Sequence, residues 1–211
     1  MKFPNAFAGV KKLYTSEILA LIALIFALIT AIAGFTSIGI IDAGVEDAVN
    51  PSLAITGVLT IITAILSLIC FILNLVGLNQ AGKDEPAFKY ALYVSLLGIV
   101  VSVAGGFVPE GFGKELLSVI NEIVLLLVPV LSIAGIISLS KQYMNSDMEN
   151  RGNSLLKLMT TSIVVAGVAD IIYRFFANGA IVLGIVAIVI DLIASLIYLG
   201  YLNRARKMLE E

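Results

Sequence analysis

Long apolar segments alternate with short polar connections along the whole chain. If they are helices rising about 1.5 Å per residue, these segments are long enough to cross a bilayer core of roughly 30 Å. Strands do not fit, because lipid leaves their backbone groups unpaired and no ten-residue alternating pattern supports a barrel. The pattern predicts an all-α, polytopic integral membrane protein with six transmembrane helices, at about residues 17–41, 52–77, 87–108, 116–140, 155–176 and 180–202.

Short signals in the connections indicate where the helices begin and end. Ser146-Asp147-Met148-Glu149 matches a capping box, so the fifth helix is expected to begin before Arg151. Asp84-Glu85-Pro86 fits the start of the third helix, with proline in its first turn. Asn178-Gly179 fits a tight turn between the fifth and sixth helices.

The composition supports a membrane protein and removes most catalytic chemistry. Hydrophobic residues make up 60% of the chain and charged residues 13%, whereas soluble domains contain about half and about a quarter. The chain has no histidine and one cysteine, Cys70, which excludes histidine-dependent catalysis, an internal disulfide and a cysteine-based metal site. Phosphate-binding glycine loops, metalloprotease helices and basic nucleic-acid surfaces are also absent from the sequence. We therefore predict no enzyme activity, no catalytic residues, no cofactor, no metal site and no nucleic-acid partner.

Lysine and arginine are distributed unequally between the two sides of the predicted bundle. With alternating spans, eleven of these residues fall on the side of the two termini, and only Lys114 and Arg174 fall on the other side. Basic residues favour the cytoplasmic side of a membrane. We therefore predict a multi-pass protein of the plasma membrane with both termini in the cytoplasm.

Two pairs of similar stretches indicate an internal repeat. TAIAGF at 30–35 resembles SVAGGF at 102–107, and LNQAGK at 78–83 resembles LNRARK at 202–207. The first pair lies in odd-numbered helices and the second at the ends of even-numbered helices. Their spacing predicts three helical hairpins inserted in parallel, at about 1–77, 78–138 and 139–211, within a single transmembrane domain of residues 1–211. The alternative is chance similarity between short apolar strings.

Small residues form stripes on two of the predicted helices. They recur every three or four positions, so each set shares one helix face and lets another helix approach closely in lipid. The neighbour is either another helix of the bundle, a protein partner or a second copy of the chain. The first helix contributes Ala20, Ala23, Ala27, Ala31 and Gly34, and the third contributes Ala91, Ser95, Gly98, Ser102 and Gly106.

The N-terminal stretch mixes apolar and basic residues before the first predicted span. Phe3, Phe7 and Tyr14 are interleaved with Lys2 and Lys11. Two interpretations remain open: a short interfacial helix on the anionic cytoplasmic surface, or a disordered tail with ordinary cytoplasmic charges.

Four charged residues fall inside the last two predicted spans, where ionisable groups are costly. Lys157 lies close enough to the end of its span to reach the inner surface, which leaves three charges deeper in the membrane. Asp170 and Arg174 lie one turn apart and can neutralise each other within the fifth helix. Asp191 lies near the middle of the sixth helix with no basic residue one turn away, so it is either a protonated acid that links helices or part of an ion site. Asp170 and Asp191 differ in expected depth by about four residues, roughly 6 Å. If they face each other, Asp170, Arg174 and Asp191 form one proton or cation site.

Three functions are compatible with these features. The first is a small transporter or channel-like permease component that uses the three intramembrane charges. The second is a non-catalytic scaffold or assembly partner that packs through its small-residue faces. The third follows from a resemblance: in size, helix count and the Ala23-x-x-x-Ala27 pair, the chain resembles the substrate-binding subunits of energy-coupling-factor vitamin transporters. That resemblance implies a membrane subunit that docks on partner subunits, although the absence of Trp and His, which often line such pockets, argues against it.

Overall fold

The computed structural model describes the backbone of residues 2–42, 46–109, 111–175 and 180–211. Side chains are described for residues 2–30, 55–109, 111, 113–114, 116–121, 123–124, 126–161 and 192–211. All regular structure in this part of the chain is helical, which confirms the all-α prediction. The helices are α1 (Pro4–Asp42), α2 (Glu46–Ala81), α3 (Pro86–Phe107), α4 (Phe112–Gln142), α5 (Ser146–Phe175) and α6 (Ala180–Glu210).

Four helices have the length and the apolar composition of membrane spans. Within the described residues, these segments are Pro4–Thr30, Ile55–Ala81, Pro86–Phe107 and Leu116–Gln142. Many of their large aliphatic side chains are exposed; Ile61 and Val100, for example, are 62% and 64% exposed. Such a surface is suited to lipid chains and unsuited to water, and it is the surface expected of an integral membrane protein.

The described helices form two compact units, one of Met1–Leu13 with Leu75–Glu211 and one of Tyr14–Asn74. In the larger unit α3 packs on α4, α4 on α5, and α5 on α6, so helices adjacent in sequence are adjacent in space. Most of the fully buried side chains of this unit lie at one end, which we call the basal end and define as residues 2–13, 75–91, 133–155 and 198–209. They include Val10, Leu78, Phe88, Ile133, Ile136, Leu139, Leu202 and Leu209.

The first turn of α1 is held by the connection between α2 and α3. The Asp84 carboxylate accepts hydrogen bonds from the backbone N–H of Ala6 at 2.8 Å and from the side-chain amide of Asn5 at 2.9 Å. The first N–H groups of a helix have no partner within the helix, so Asp84 caps α1 from a distant part of the chain. Ala6 and Val10 are fully buried. The disordered tail is therefore wrong. The stretch is helical, but it is the start of α1 and packs into the basal end, and its position at a membrane surface stays a prediction.

Two glycines bring α1 and α2 into backbone contact at the basal end. A Cβ atom on Gly9 would lie 2.5 Å from the carbonyl oxygen of Gly77 and from the backbone nitrogen of Ala81. A Cβ atom on Gly77 would lie 3.0 Å from the carbonyl oxygen of Gly9. The obstacle is backbone, which cannot rotate away as a side chain would. The crossing therefore depends on glycine at both positions.

The predicted starts of α3 and α5 are confirmed, but the cap of α5 differs. The predicted turn at Asn178-Gly179 lies outside the described residues. α3 begins at Pro86, and Glu85 is its N-cap, as the sequence indicated. α5 begins at Ser146, before Arg151 as expected. Its cap is nevertheless Asn145, whose side-chain oxygen accepts a 3.1 Å hydrogen bond from the backbone N–H of Met148. The capping box was therefore assigned one residue too late, because an asparagine is as good a cap as a serine.

Hydroxyl groups in the smaller unit are satisfied by backbone carbonyls. The Ser16 hydroxyl of α1 donates a 2.8 Å hydrogen bond to the carbonyl oxygen of Cys70 in α2, and both residues are buried. The hydroxyls of Thr30 and Thr63 donate to the carbonyls one turn earlier in their own helices, at 2.8 and 2.9 Å. A hydroxyl bonded in this way does not need water, so these residues are tolerated inside a membrane span.

We expect Gly9→Ala to destabilise the protein, because the added methyl group would force the backbones of α1 and α2 apart. Overpacking of this kind costs typically about 1–3 kcal/mol. The measurement is the midpoint of denaturant unfolding in detergent micelles, followed by circular dichroism. Gly57→Ala in α2 is the matched control: a Cβ there meets nothing within 4 Å, so it should be neutral or stabilising by up to about 1 kcal/mol. Equal midpoints for the two variants would contradict the close crossing.

Candidate functional site

The predicted proton or cation site falls on two helices that pack against each other. Asp170 and Arg174 are in α5, close to its end at Phe175, and Asp191 is in α6. α5 and α6 are in contact, which is the arrangement that the predicted site requires. The side chains of these three residues lie outside the described residues, so a direct interaction between them stays a prediction.

The small-residue face of α3 is covered over part of its length. Ala91, Ser95 and Gly98 are buried at the half of the helix nearer the basal end. Ser102 and Gly106, which continue the same stripe, are exposed. A Cβ atom on Gly106 would meet nothing within 4 Å. The stripe therefore packs within the chain at one end and is open at the other.

The small-residue face of α1 shows a similar gradient over its described part. Ala20 is half-buried, Ala23 is 6% exposed, and Ala27 is exposed. Ala31 and Gly34, which complete the predicted face, lie outside the residues whose side chains are described. The pair Ala23-x-x-x-Ala27, which carries the resemblance to a docking motif, is thus half covered and half exposed.

A groove of about 480 Å³ runs between α5 and α6 at the basal end, and we call it the α5–α6 groove. Its mouth is polar. Asn150, Arg151 and Ser154 line it from α5, and Arg204 lines it from α6. All four side chains are exposed, so the donors of two guanidinium groups, one amide and one hydroxyl face the same opening.

The wall of the α5–α6 groove becomes apolar away from the mouth. Leu158 of α5 and Leu196 and Ile197 of α6 line this part and are 43%, 52% and 42% exposed. Leu158 follows Arg151 by seven residues, or about 10 Å along the helix. The groove therefore changes from cationic to aliphatic along its length, and its aliphatic part is open to the surroundings of the helix pair.

Asp147 holds Arg151 in place at the mouth. The Arg151 Nε–H donates a 2.8 Å hydrogen bond to the Asp147 carboxylate one turn earlier, and this bond is the main cause of the lowered pKa of Asp147. Desolvation opposes the shift, while the charges of Arg151 and Arg204 lower the pKa of Asp147 further. Asp147 is therefore ionised at neutral pH. The two arginines and this carboxylate together leave one net positive charge.

Gly152 and Tyr201 set the separation of the helices beneath the mouth. Tyr201 is 5% exposed, and its buried hydroxyl has no hydrogen-bond partner in the described part of the chain. A Cβ atom on Gly152 would collide with this hydroxyl and with the side chain of Ile137 in α4. The glycine therefore lets α4, α5 and α6 meet at one point.

A second basic groove of about 470 Å³ lies at the basal end beside the connection between α2 and α3. Lys83, Lys89 and Tyr93 line it, and the Lys89 ammonium lies 5.9 Å from the centre of the Tyr93 ring. Leu92 is the aliphatic residue of its described lining. This groove offers point charges on flexible stems and has little apolar wall.

Sequence reasoning overlooked the glycines and arginines of the basal end. Gly9 and Gly152 lie outside the small-residue stripes that the sequence indicated. The pair Gly77 and Ala81, four residues apart in α2, was a readable signal for close packing. Arg151 and Arg204 were counted only as cytoplasmic charges, because their approach depends on the register between α5 and α6.

No protein-family model, curated protein or solved structure matches the chain. The resemblance to substrate-binding subunits of vitamin transporters therefore stays a prediction that rests on size, helix count and one helix face. Function has to be argued from the helices and grooves described above.

We expect Gly152→Ala to lower stability and to disturb the α5–α6 groove, because the new methyl group displaces Tyr201 and Ile137. The loss should be about 1–3 kcal/mol, as in other overpacked cores. Gly200→Ala is the matched control on the facing helix, since a Cβ there meets nothing within 4 Å. Tyrosine fluorescence during unfolding in micelles reports both changes. The close contact is refuted if the two variants unfold alike.

Proposed function

We propose that this chain is a six-span integral membrane protein with both termini in the cytoplasm, and that it works as a small transporter or channel-like permease component. The four segments of α1 to α4 described above supply four of the spans. α5 and α6, at 30 and 31 residues, are each about 45 Å long and supply the other two. The plasma membrane is the proposed location.

The charge of the basal end supports the proposed orientation. Exposed basic side chains surround this end, whereas Lys114 lies at the opposite end of α4. A membrane protein places such a cluster on the cytoplasmic side, where the anionic leaflet attracts it. The exposed basic residues of the basal end are Lys2, Lys11, Lys83, Lys89, Lys141, Arg151, Arg204 and Lys207.

The direct packing of α5 on α6 supports the proposal, because these two helices hold the three charges of the proposed ion site. The same pair holds the α5–α6 groove, so a polar opening at the basal end and the proposed ion site share one helix hairpin. Ionisable residues inside spans typically belong to substrate or proton pathways. An opening on the same hairpin is what a cytoplasmic exit requires.

Asp170 and Asp191 have an expected depth difference of roughly 6 Å, counted from the turn between the two helices. The two carboxylates and Arg174 are therefore proposed to form one proton or cation site.

We expect Asp191→Asn to abolish the proton or cation flux of the purified protein in liposomes, because the amide does not titrate and has no negative charge to attract a cation. Flux is read from an internal pH dye or from a cation-sensitive dye, under an imposed gradient. Glu210→Gln, at the exposed end of α6, changes the charge equally outside the membrane and should leave flux unchanged. Native flux from Asp191→Asn would remove Asp191 from the mechanism.

A second candidate function is assembly with another copy of the chain, and the open part of the α3 stripe favours it. Ser102 and Gly106 are exposed small residues that continue a face already used for packing at Ala91, Ser95 and Gly98. A second helix can approach such a face closely in lipid. A scaffold of this kind would need no ion site.

We expect Ser102→Cys, in a Cys70→Ala background, to form a disulfide between two copies in a membrane if this second function is correct. Val100→Cys is the control, since Val100 is 64% exposed and lies on the opposite face of the same helix. Crosslinking is read on a non-reducing gel after mild oxidation. Equal crosslinking of both variants, or none from either, would exclude a dimer through this face.

A further inference from the structure

We propose that the α5–α6 groove binds an anionic phospholipid from the leaflet on the basal side, with the phosphate at the mouth and an acyl chain along the wall. The inference goes beyond the proposed transport function and does not depend on Asp170, Arg174 or Asp191. It rests on side chains that the structure describes.

The mouth of the α5–α6 groove has the donors that a phosphodiester needs. Arg151 and Arg204 face it from opposite helices, and guanidinium groups bind phosphate oxygens with paired hydrogen bonds. Asp147 accepts a hydrogen bond from the Nε–H of Arg151 and so orients the guanidinium. This bond uses the Nε–H, and the terminal nitrogens of the guanidinium carry four further N–H donors. Ser154 and Asn150 add a hydroxyl and an amide donor at the same opening.

The net charge of the mouth fits a single phosphodiester. Arg151 and Arg204 with the ionised Asp147 leave one positive charge, which a phosphodiester with one negative charge neutralises. A zwitterionic headgroup would bring a further cation close to the two guanidinium groups, where like charges repel. The mouth therefore favours an anionic over a zwitterionic phospholipid.

The wall of the groove distinguishes a lipid from a soluble phosphate. Leu158, Leu196 and Ile197 continue the groove toward the middle of the helices and are about half exposed. They begin about 10 Å along the helix from Arg151. If the two arginines lie among the lipid headgroups, the acyl chains begin at this depth. A soluble phosphate would make no contact with these three side chains. Basic pockets between spans on the cytoplasmic side are typical sites for anionic headgroups.

The test measures lipid retention by the purified full chain in detergent, using native mass spectrometry. The probes are phosphatidylglycerol and phosphatidylcholine with the same acyl chains, and glycerophosphoglycerol, which is the phosphodiester headgroup without acyl chains. We expect the native protein to retain phosphatidylglycerol in preference to both other probes. Arg204→Gln should weaken this binding about tenfold, because one charge-assisted contact is lost.

Two further variants separate the groove from general surface charge. Lys207→Gln removes an equal charge from the same helix without touching the groove, and it should leave binding unchanged. Gly200→Leu keeps the charge but fills the groove, because a Cβ there meets nothing within 4 Å, and it should prevent binding. Arg151→Gln repeats the charge test on α5, so the test survives if one variant does not fold.

Four results would overturn the proposal. Equal retention of the two phospholipids would show that the mouth does not select an anion. An equal loss in Lys207→Gln would place the lipid outside the groove, and so would full binding by Gly200→Leu. Tight binding of glycerophosphoglycerol alone would show that the ligand is a soluble phosphodiester and that the apolar wall takes no part.

Discussion

Hydrophobic burial cannot hold helices together inside a bilayer, because lipid chains are as apolar as the side chains they would replace. Association must come from close backbone contact and from hydrogen bonds. In the described part of this protein both are concentrated at the basal end. Gly9 and Gly77 bring two backbones together, Asp84 caps α1, and Glu85, which is 8% exposed, accepts a 2.7 Å hydrogen bond from Ser138 of α4. The order of the larger unit depends on these contacts.

The α5–α6 groove lies at the same end. A binding site needs side chains whose positions are fixed by their neighbours. Arg151 is fixed by Asp147, and the separation of α5 from α6 is fixed where Gly152 meets Tyr201 and Ile137. Away from the basal end, large aliphatic side chains of α2 and α3 are exposed. There lipid rather than protein is the expected neighbour.

The sequence was sufficient for the helical class and for the starts of α3 and α5, because those follow from local signals: apolar length, a proline in a first turn, a cap. It failed where partners are distant in the chain. The cap of α1 is Asp84, and no local pattern links Asp84 to Ala6. The same limit applies to the groove, because Arg151 and Arg204 are brought together by helix register. The proposed ion site could be predicted from the sequence because a charged residue inside a span is unusual, whichever residues lie near it.

The α5–α6 groove and the charges of the proposed ion site lie on the same pair of helices, so a ligand in the groove can affect ion movement. From the groove mouth to Asp191, and from Asp191 to Asp170 and Arg174, polar groups recur along two helices that are otherwise apolar. A cation or proton leaving such a path at the basal end would meet two guanidinium groups, which repel it unless their charge is neutralised. A phospholipid phosphate in the groove would remove that barrier. An anionic leaflet would then set both the orientation of the protein and the electrostatic barrier at the cytoplasmic end of the path. The proposed transport rate would therefore depend on the lipid composition of that leaflet.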